Sequence, residues 1–384
     1  MARNYARAGF TSPEYPRQPW QECGMSPRVT DHDERLDALW EDYVAYHPEA
    51  TLFHTLIWRD AVRNVFGHSC HYLTAWKDQR VAGVLPLVLI QSRLAGRILV
   101  SVPYGVYGGS LADDETTHEA LLTHATVLAD RLRCQWMDIR SMEARSPALP
   151  IAGRYVTFRK TLPDRADQVL GTLPRKARAA ARQARERHGL ETVFDDGQLD
   201  TLWSLYTQSM RRVASVNYPL EFFRQLVERT APVASRRDNL ARGHRPGHLV
   251  QIVRYRGRPI AGLLSFIHRD TLMPYFAGCD ERFEKFHPNN FLYLAAMERG
   301  TDLGCRQFDF GRSRESNAGA YNFKRFQGFE PTPLHYQYYV PPGGRAPDLH
   351  PDNRKLEMAQ RVWSRLPLAV TRPLGAWLSK SIPG

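Results

Sequence analysis

The chain has 384 residues, 43% of them hydrophobic, which is enough for two globular domains that each bury a core. Its five cysteines are scattered and form no Cys-x-x-Cys pair, which argues against a disulfide framework and a structural zinc site and suits the cytoplasm. A formal net charge of +12 favours an anionic partner, such as nucleic acid, a phosphorylated donor, an acidic glycan carrier or anionic lipid. A generally basic protein without such a partner is the alternative.

The N-terminal segment, residues 1–26, is polar and contains prolines but no apolar run. It therefore predicts a flexible leader rather than a signal peptide. No stretch of the sequence approaches the roughly 18 uncharged apolar residues of a membrane-spanning helix. Together these features predict a cytoplasmic protein.

Two parts of the chain, residues 27–162 and 163–340, repeat the same landmarks in the same order. Each part has an Ala-Gly pair in a predicted hairpin, a Pro-Tyr pair after it, and a helix followed by a strand with an acid near its end. The landmarks are Ala82-Gly83, Pro103-Tyr104 and Asp138 in the first part, and Ala261-Gly262, Pro274-Tyr275 and Asp309 in the second. Helices interspersed with hairpin-connected strands predict an α+β domain that is used twice.

A glycine-rich turn, Tyr104–Gly109, follows a predicted strand of the first domain. Glycines let the backbone come close to a ligand, and Tyr104 and Tyr107 would form walls beside Gly108. These three residues, with Tyr275 as the counterpart of Tyr104, are candidate substrate-binding residues. A glycine-rich loop without a ligand is the alternative.

A basic helix is predicted near the start of the second domain, between the proline at 174 and the glycine at 189. At about 3.6 residues per turn its arginines share one stripe, while alanines line the opposite face and allow close packing. The candidate donor-binding residues are Arg175, Lys176, Arg178, Arg182 and Arg185. A row of guanidinium groups suits phosphates. A helix whose charges meet only water is the alternative.

Asp309 is the first candidate catalytic residue. Its carboxylate stands between Phe308 and Phe310 and should be partly desolvated, which raises its pKa toward that of a useful general base. Transfer of an acyl group to an amine or hydroxyl needs such a base. The alternative is that Asp309 only caps the turn that begins at Gly311.

Lys324, between Phe323 and Phe326, is the second candidate catalytic residue. An ammonium held by aromatic rings can neutralise a phosphate or the oxyanion of a tetrahedral intermediate. We expect Asp309 and Lys324 to face one cavity, with further substrate contacts from Arg312, Ser313 and Tyr321. A surface lysine that lies over an aromatic patch is the alternative.

Several common catalytic motifs are missing from the sequence. It contains no His-Glu-x-x-His, no P-loop, no Gly-x-Gly-x-x-Gly and no Gly-x-Ser-x-Gly. We therefore expect neither a metalloprotease nor an ordinary nucleotide-binding or hydrolase fold, and no metal site.

The last part of the chain, residues 341–384, predicts a linker followed by an amphipathic helical tail. Apolar residues recur there at helical spacing, with tryptophans among them and with arginines and lysines beside them. Such a basic segment, over residues 352–382, can lie in the interface of an anionic membrane. Packing back onto the protein is the alternative.

The pattern Asp-Phe-Gly-Arg-Ser, followed by Tyr-x-Phe-Lys-x-Phe and Gly-Phe-Glu-Pro, begins at Asp309 and resembles the Fem-type family of tandem GNAT-fold transferases. Within that family the chain looks most like the FemAB-related proteins associated with exosortase/PEP-CTERM and exopolysaccharide loci. The resemblance covers roughly residues 50–340. It implies duplicated GNAT-like (acyl-CoA N-acyltransferase) domains with Lys324 in the substrate site. The pyrophosphate loop of acetyl-CoA GNAT enzymes has no good match, which counts against a routine acetyl-CoA enzyme.

The resemblance also implies a function: transfer of an acyl or aminoacyl group to an amine or hydroxyl of a cell-envelope or exopolysaccharide precursor. The donor would be an aminoacyl-tRNA, an acyl-CoA or an acyl carrier, with no tightly bound cofactor. The basic helix would hold the donor, and the first domain would help to bind the acceptor.

Two other functions stay open at this point. One is an acyl-CoA- or acyl-carrier-dependent N-acyltransferase that acts on a small molecule. The other is a non-catalytic module that binds RNA or an anionic membrane in an envelope-assembly system. In either case the tail would allow peripheral contact with the inner face of the cytoplasmic membrane.

Overall fold

The computed structural model describes residues 26–92, 95–153, 155–346, 354–382 and 384. The predicted leader therefore lies outside the described residues except for Ser26, and so does the part of the predicted linker and tail at 347–353.

The elements of the first half begin with a strand and end with a strand. In chain order they are β1 (Arg28–Asp31), α1 (Asp37–Tyr46), α2 (Leu56–Phe66), β2 (Ser69–Cys70), β3 (Leu73–Lys77), β4 (Arg80–Leu85), β5 (Val88–Ser92), β6 (Gly96–Val100), β7 (Leu111–Ala112), α3 (Glu115–Arg131), β8 (Trp136–Ile139) and β9 (Tyr155–Thr161).

The second half adds longer strands and the tail helices. Its elements are α4 (Ala166–Val169), α5 (Arg175–Arg182), β10 (Glu191–Phe194), α6 (Leu199–Arg212), α7 (Leu220–Arg229), β11 (Ala231–Pro232), α8 (Arg236–Ala241), β12 (Gly247–Tyr255), β13 (Arg258–His268), β14 (Thr271–Cys279), α9 (Pro288–Asp302), β15 (Gln307–Arg314), α10 (Ala318–Phe326), β16 (Pro331–Pro333), β17 (Gln337–Tyr339), α11 (Arg354–Arg365) and α12 (Leu368–Ser379).

The internal repeat is visible in the hairpins β3–β4 and β12–β13. Gly83 pairs with Ala75 in the first hairpin, and Gly262 pairs with Ile252 in the second. Both hairpins turn through two residues with positive φ, Asp78–Gln79 and Arg256–Gly257. Such turns match the right-handed twist of the flanking strands. The two Ala-Gly pairs of the sequence thus occupy equivalent places.

The strands form three sheets. Their orders are β1-β3-β4-β7, β17-β8-β6-β5-β2, and β10-β12-β13-β14-β15-β9-β16 with β11 beside β12. The strand that corresponds to β13 is divided in the first half into β4 and β5, which lie in different sheets. Pro86 stands between them and cannot donate a ladder hydrogen bond, so the sheet breaks there.

The closing strand of each half lies in the sheet of the other half. β9, which the sequence assigns to the first domain, pairs antiparallel with β15, and β17 pairs antiparallel with β8. The predicted boundary at 162/163 therefore falls directly after a strand that belongs to the second sheet. One hydrophobic core also spans both halves, with Trp58 packed against Phe222 and Tyr275.

A helix connects two parallel strands in each half: α3 between β6 and β8, and α9 between β14 and β15. In the second half the parallel pairing comprises Thr271 with Gln307 and Leu272 with Phe308, although both strands continue for several residues. The large sheet therefore opens after these pairs. Met273 and Asp309 stand at the opening.

The tail helices pack on the second half. The Trp363 indole donates to the carbonyl of Ser215 at 3.1 Å, and the Arg372 guanidinium donates to the hydroxyls of Ser204 and Thr207 at 2.7 and 3.0 Å. The alternative of packing back onto the protein is thus observed for one face of the tail. No helix in the described ranges is both long and apolar enough to cross a membrane.

Candidate functional site

A cavity of about 400 Å³ lies where the two halves meet at the opening of the large sheet. The first half lines it with residues 48–52, His54, residues 107–111, residues 141–143 and Arg145. The second half and β9 line it with Arg159, Phe266, residues 268–271, Met273 and Asp309. Its size falls in the range of small-molecule sites. Three predicted site residues meet here: Tyr107, Gly108 and Asp309.

The Asp309 carboxylate is held by three hydrogen-bond donors and one ion pair. Its Oδ1 accepts from the Gly311 backbone N–H at 2.7 Å and from the Tyr107 hydroxyl at 3.0 Å, and the Thr157 hydroxyl lies 3.4 Å away. Its Oδ2 lies 3.3 Å from Nε of Arg159. An ionised carboxylate offers about four lone-pair positions. Oδ2 accepts no hydrogen bond within the described ranges and therefore keeps acceptor capacity, and Asp309 is among the residues that line the cavity.

Burial raises the pKa of Asp309, whose side chain is almost fully enclosed. The positive charge of Arg159 and the bonds from Gly311 and Tyr107 act in the opposite direction. The sequence predicts the raised pKa from the flanking phenylalanines, and the physical cause in the structure is the same desolvation. A carboxylate with a raised pKa is a better proton acceptor for a nucleophile.

A glycine bulge fixes the direction of this carboxylate. Asp309 is paired with Arg159, and Arg312 with Thr157, so β15 has one residue more than β9 between these pairs. Gly311 supplies the extra residue with φ of +64°, a left-handed conformation that glycine adopts at low cost. The bulge turns the Gly311 N–H toward Oδ1.

Lys324 supports the bulge from α10. Its ammonium donates to the carbonyls of Phe310, Gly311 and Arg312 at 2.9, 3.1 and 3.1 Å. Burial lowers the pKa of Lys324 to about 7, and the nearby Asp309 charge opposes this shift. Three accepting carbonyls require the three protons of the ammonium form. We expected Lys324 to face the same cavity as Asp309, and the structure differs from this expectation. The ammonium donates to three carbonyls, and Lys324 is not among the residues that line the Asp309 cavity.

Arg312 and Ser313 lie on the continuation of β15 and are not among the residues that line the Asp309 cavity. The guanidinium of Arg312 stacks 4.7 Å from the Tyr155 ring centre and 5.8 Å from that of Tyr336. Its Nη1, like the hydroxyl of Ser313, is buried without a hydrogen-bond partner in the described ranges. The two residues therefore contact the aromatic core beside the site.

The remaining tyrosines that the sequence singled out are packing residues. Tyr104 stacks on Phe66 at 4.1 Å, and its hydroxyl donates to the Ser379 carbonyl at 3.0 Å. Tyr275 donates to the Tyr104 carbonyl. Tyr321 packs edge-on against Phe158 at 5.4 Å. None of these three rings is among the groups that line the Asp309 cavity.

Two histidines of the cavity are neutral. Burial lowers the pKa of His54 and of His268 to about 3. The Thr51 N–H donates to Nδ1 of His54 at 3.1 Å, so the proton of the neutral ring lies on Nε2 and is donated to the Gly109 carbonyl. Thus His54 fixes the Gly109 end of the loop, and His268 adds an uncharged ring to the wall.

The predicted basic helix forms as α5 and continues in a π-helical turn at Gln183–Arg187. Ala177, Ala181 and Ala184 are buried, as the alanine face predicts. The side chains of the basic stripe lie outside the Asp309 cavity, and Arg185 pairs with Glu298. The donor-binding role of Arg175, Lys176, Arg178, Arg182 and Arg185 stays a prediction.

Arg159 and Thr157 are site residues that the sequence analysis missed. They alternate with buried Val156 and Phe158 along β9, which is the pattern of a strand with one polar face. That pattern marks the face but not the partner strand. The exchange of β9 into the second sheet is what brings both residues to Asp309.

No group of three or more histidine, cysteine, aspartate or glutamate side chains in the described ranges could hold a metal ion. The residues around the Asp309 cavity can perform proton transfer, with Asp309 as the acceptor. The Arg159 guanidinium and the Gly311 backbone N–H fix the position of its carboxylate.

Known proteins share this architecture. Residues 173–325 match the family model described as an acetyltransferase (GNAT) domain. The chain is similar to the crystal structure of FemX, with a TM-score of 0.59 and 14% identity over 82% of this chain and 97% of that chain. None of the curated proteins matches the sequence.

Two further solved structures are similar at lower TM-scores. A tandem GNAT protein from the clavulanic acid biosynthesis pathway gives a TM-score of 0.49 and 12% identity, over 85% of this chain and 100% of that chain. The C-terminal domain of a putative lysylphosphatidylglycerol synthetase from Agrobacterium fabrum gives 0.46 and 13%, over 79% and 92%.

The similarity to FemX confirms the predicted fold class. The protein is an α+β chain with the tandem GNAT fold of FemX, followed by C-terminal helices. The stretch that matches the acetyltransferase (GNAT) family model covers much of the second half and includes Asp309. This match supports the predicted transferase class.

Proposed function

We propose that the protein is an acyltransferase that moves an acyl or aminoacyl group to an amine or hydroxyl bound in the Asp309 cavity. The observation that carries this proposal is the position of Asp309 Oδ2. Asp309 lines the cavity where the parallel strands β14 and β15 cease to pair, and its Oδ2 accepts no hydrogen bond from the described residues.

In the proposed reaction the acceptor nitrogen or oxygen attacks the carbonyl carbon of the donor. Asp309 takes the proton that the nucleophile loses, and the leaving thiol or hydroxyl group is protonated as the tetrahedral intermediate collapses. Lys324 acts through the bulge, since its three bonds to carbonyls hold Gly311, whose N–H orients the carboxylate. Lys324 is thus a positioning residue in this proposal.

The donor in the proposal is an acyl-CoA, a carrier-bound acyl group or an aminoacyl-tRNA. All three carry phosphates, for which the exposed basic side chains of α5 are suited. Among the described residues, Arg175, Lys176 and Arg178 have no acidic partner, which leaves their charges available.

The acceptor that the Fem-type resemblance suggests is a cell-envelope or exopolysaccharide precursor, including the link to exosortase/PEP-CTERM loci. The outer face of α12 supports a place at the inner surface of the cytoplasmic membrane. Val370, Leu374 and Trp377 are 43%, 37% and 50% exposed on one stripe, and exposed Lys380 and Arg365 lie nearby. A basic apolar face of this kind binds anionic lipid.

A small-molecule N-acyltransferase is the second candidate. The cavity volume of about 400 Å³ favours it, because that space suits one small acceptor rather than a polymer.

The test is acyl transfer by the full chain with radiolabelled acetyl-CoA, a longer acyl-CoA or aminoacyl-tRNA, each with a mixture of amines. We expect Asp309→Asn to lower turnover roughly 10²-fold or more, because the general base is lost, while donor binding and cooperative unfolding stay unchanged. Asp138→Asn is the matched control, because Asp138 holds the corresponding place in the first half. Equal turnover of Asp309→Asn and the unmodified chain would remove Asp309 as the general base. No transfer by the unmodified chain from any of the donors would leave a non-catalytic module that binds RNA or membrane.

A further inference from the structure

Arg159 presents an open guanidinium beside the catalytic carboxylate. It lies directly opposite Asp309 on the neighbouring strand, and its Nε is 3.3 Å from Oδ2. Its Nη1 and Nη2 have no hydrogen-bond partner within the described ranges, and its side chain is 38% exposed and lines the cavity. The two outer nitrogens are therefore free to meet a ligand.

The other cations of the cavity wall are already engaged. Arg145 pairs with Glu49 at 2.5 Å. Arg269 donates to the backbone carbonyls of Ala45, His47 and Pro48, so it closes the end of α1. Among the arginines of the described cavity wall, Arg159 is thus the one whose two outer nitrogens both lack a hydrogen-bond partner and remain available to an anion.

The rest of the wall contains an apolar part. Leu52, Leu111, Phe266 and Met273 contribute apolar side chains, and the neutral His54 and His268 add no charge. Glu49, Glu143 and Asp270 also line the cavity. A ligand that fits this surface carries a small polar end that includes an amine, and an apolar body.

We propose that the reacting end of the acceptor is an α-amino acid, with its amine at Asp309 Oδ2, its carboxylate at Nη1 and Nη2 of Arg159, and an apolar side chain in the cavity. This proposal rests on the proposed transferase function. It is supported by two groups on adjacent strands: the acceptor oxygen Oδ2 of Asp309 and the guanidinium of Arg159, which has two free donor nitrogens. Arginine binds a carboxylate through two parallel bonds, so the amine is also fixed in direction.

The proton and electron balance is complete with the groups named. The bound ammonium gives one proton to Asp309, and the free amine attacks the donor carbonyl and forms the amide bond. The bond to the leaving sulfur or oxygen breaks, and the second proton of the nitrogen passes to that leaving group. Asp309 then releases its proton to solvent when the N-acyl amino acid leaves.

Calorimetric titration of the full chain with no donor present tests the site. The probes are L-leucine, L-methionine, L-phenylalanine and L-valine, with leucinamide lacking the carboxylate and 4-methylpentanoic acid lacking the amine. We expect at least one amino acid to bind roughly tenfold or more tightly than either leucine analogue, because each charged contact adds to the affinity. Nε-acetyl-L-lysine represents an amino acid that is attached to a larger acceptor through its side chain. Tighter binding of this probe than of the apolar amino acids would indicate such an attached unit.

The variant Arg159→Gln should lower the affinity for the amino acid to that for its amide and leave binding of the amide unchanged. Arg314→Gln is the matched control, since Arg314 is an exposed arginine on the same strand pair outside the cavity wall. The proposal is overturned if none of the probes binds, if amide and acid bind equally, or if Arg159→Gln weakens both equally.

The two proposals can fail separately. Amino acid binding that depends on Arg159, without transfer from any donor, would remove the transferase function and keep the amino acid site. Transfer to simple amines and to leucinamide as efficient as transfer to leucine would keep the transferase and remove the amino acid proposal.

Discussion

The two halves end their central strand in nearly the same way, yet the two acids have different environments. The first half has Asp138-Ile-Arg140, and Nε of Arg140 lies 3.1 Å from Oδ2 of Asp138. The second half has Asp309-Phe-Gly311-Arg312, where one added glycine places the arginine elsewhere. Residues two apart on a strand share a face, so Arg140 reaches its acid. The bulge at Gly311 breaks that relation, and Arg312 stacks on tyrosines instead.

Under the proposed function, this difference between the two strand ends decides which half can do chemistry. Arg140 also donates to the carbonyls of Val102 and Gly105 at 3.2 and 3.0 Å, so it ties the end of β8 to the loop that follows β6. The first strand end is therefore closed by its own side chain. In the second half the carboxylate is left with Arg159 on one side and the cavity on the other. A single residue separates a structural acid from a candidate catalytic one.

Deletion of Gly311 is expected to have the largest effect, because it would make the second strand end like the first. Without the bulge, Arg312 stands two residues after Asp309 on the same face and can pair with it. We expect acyl transfer to fall roughly 10²-fold, as for loss of the base. Turnover and circular dichroism of the deletion variant give the measurement.

Cooperative unfolding of the deletion variant shows that the fold is kept. Asp138→Asn provides the comparison from the other half, and we expect it to change turnover by no more than about twofold, since Asp138 is not among the residues that line the Asp309 cavity. An active deletion variant would show that the bulge does not separate the two halves in function.

Lys324→Met tests the support beneath the bulge and should have the next largest effect. The variant leaves three carbonyls without their donor, and we expect unfolding to become easier by about 2–4 kcal/mol. Chemical denaturation measures this change. Lys160→Met is the control, because Lys160 donates to the Thr172 carbonyl alone and should cost about 1 kcal/mol. Equal costs for the two variants would contradict a special role for Lys324.

The sequence predicts the duplicated fold and Asp309 because both depend on local patterns. Hairpins with Ala-Gly pairs, and an acid between two phenylalanines, can be read without knowing which strands pair. Arg159 was missed for the opposite reason, since its contact with Asp309 depends on β9 crossing to the other sheet. The role of Lys324 changes in the same way: its aromatic neighbours were visible, whereas its three carbonyl partners depend on how α10 packs on the bulge.

The smallest expected effect is a shift in the pH dependence of turnover. Burial raises the pKa of Asp309 and the Arg159 charge opposes the rise, so Arg159→Gln should raise the pKa further. A general base acts in its ionised form, and activity is therefore lost as the pH falls through its pKa. We expect the acid limb of kcat to move to higher pH in the variant, and the shift to be modest because Arg159 is partly exposed.

Stability gives an independent check on the sign of this shift, with no substrate needed. Because the pKa of Asp309 is raised in the folded state, the protonated carboxyl stabilises the fold relative to the ionised form. This stabilisation is lost as the pH rises through the folded-state pKa. Asp309→Asn carries no such charge. The stability of Asp309→Asn relative to the unmodified chain should therefore increase from pH 4 to pH 8. A flat difference across that range would mean that desolvation does not set the pKa of Asp309, and the distinction between the two strand ends would then rest on geometry alone.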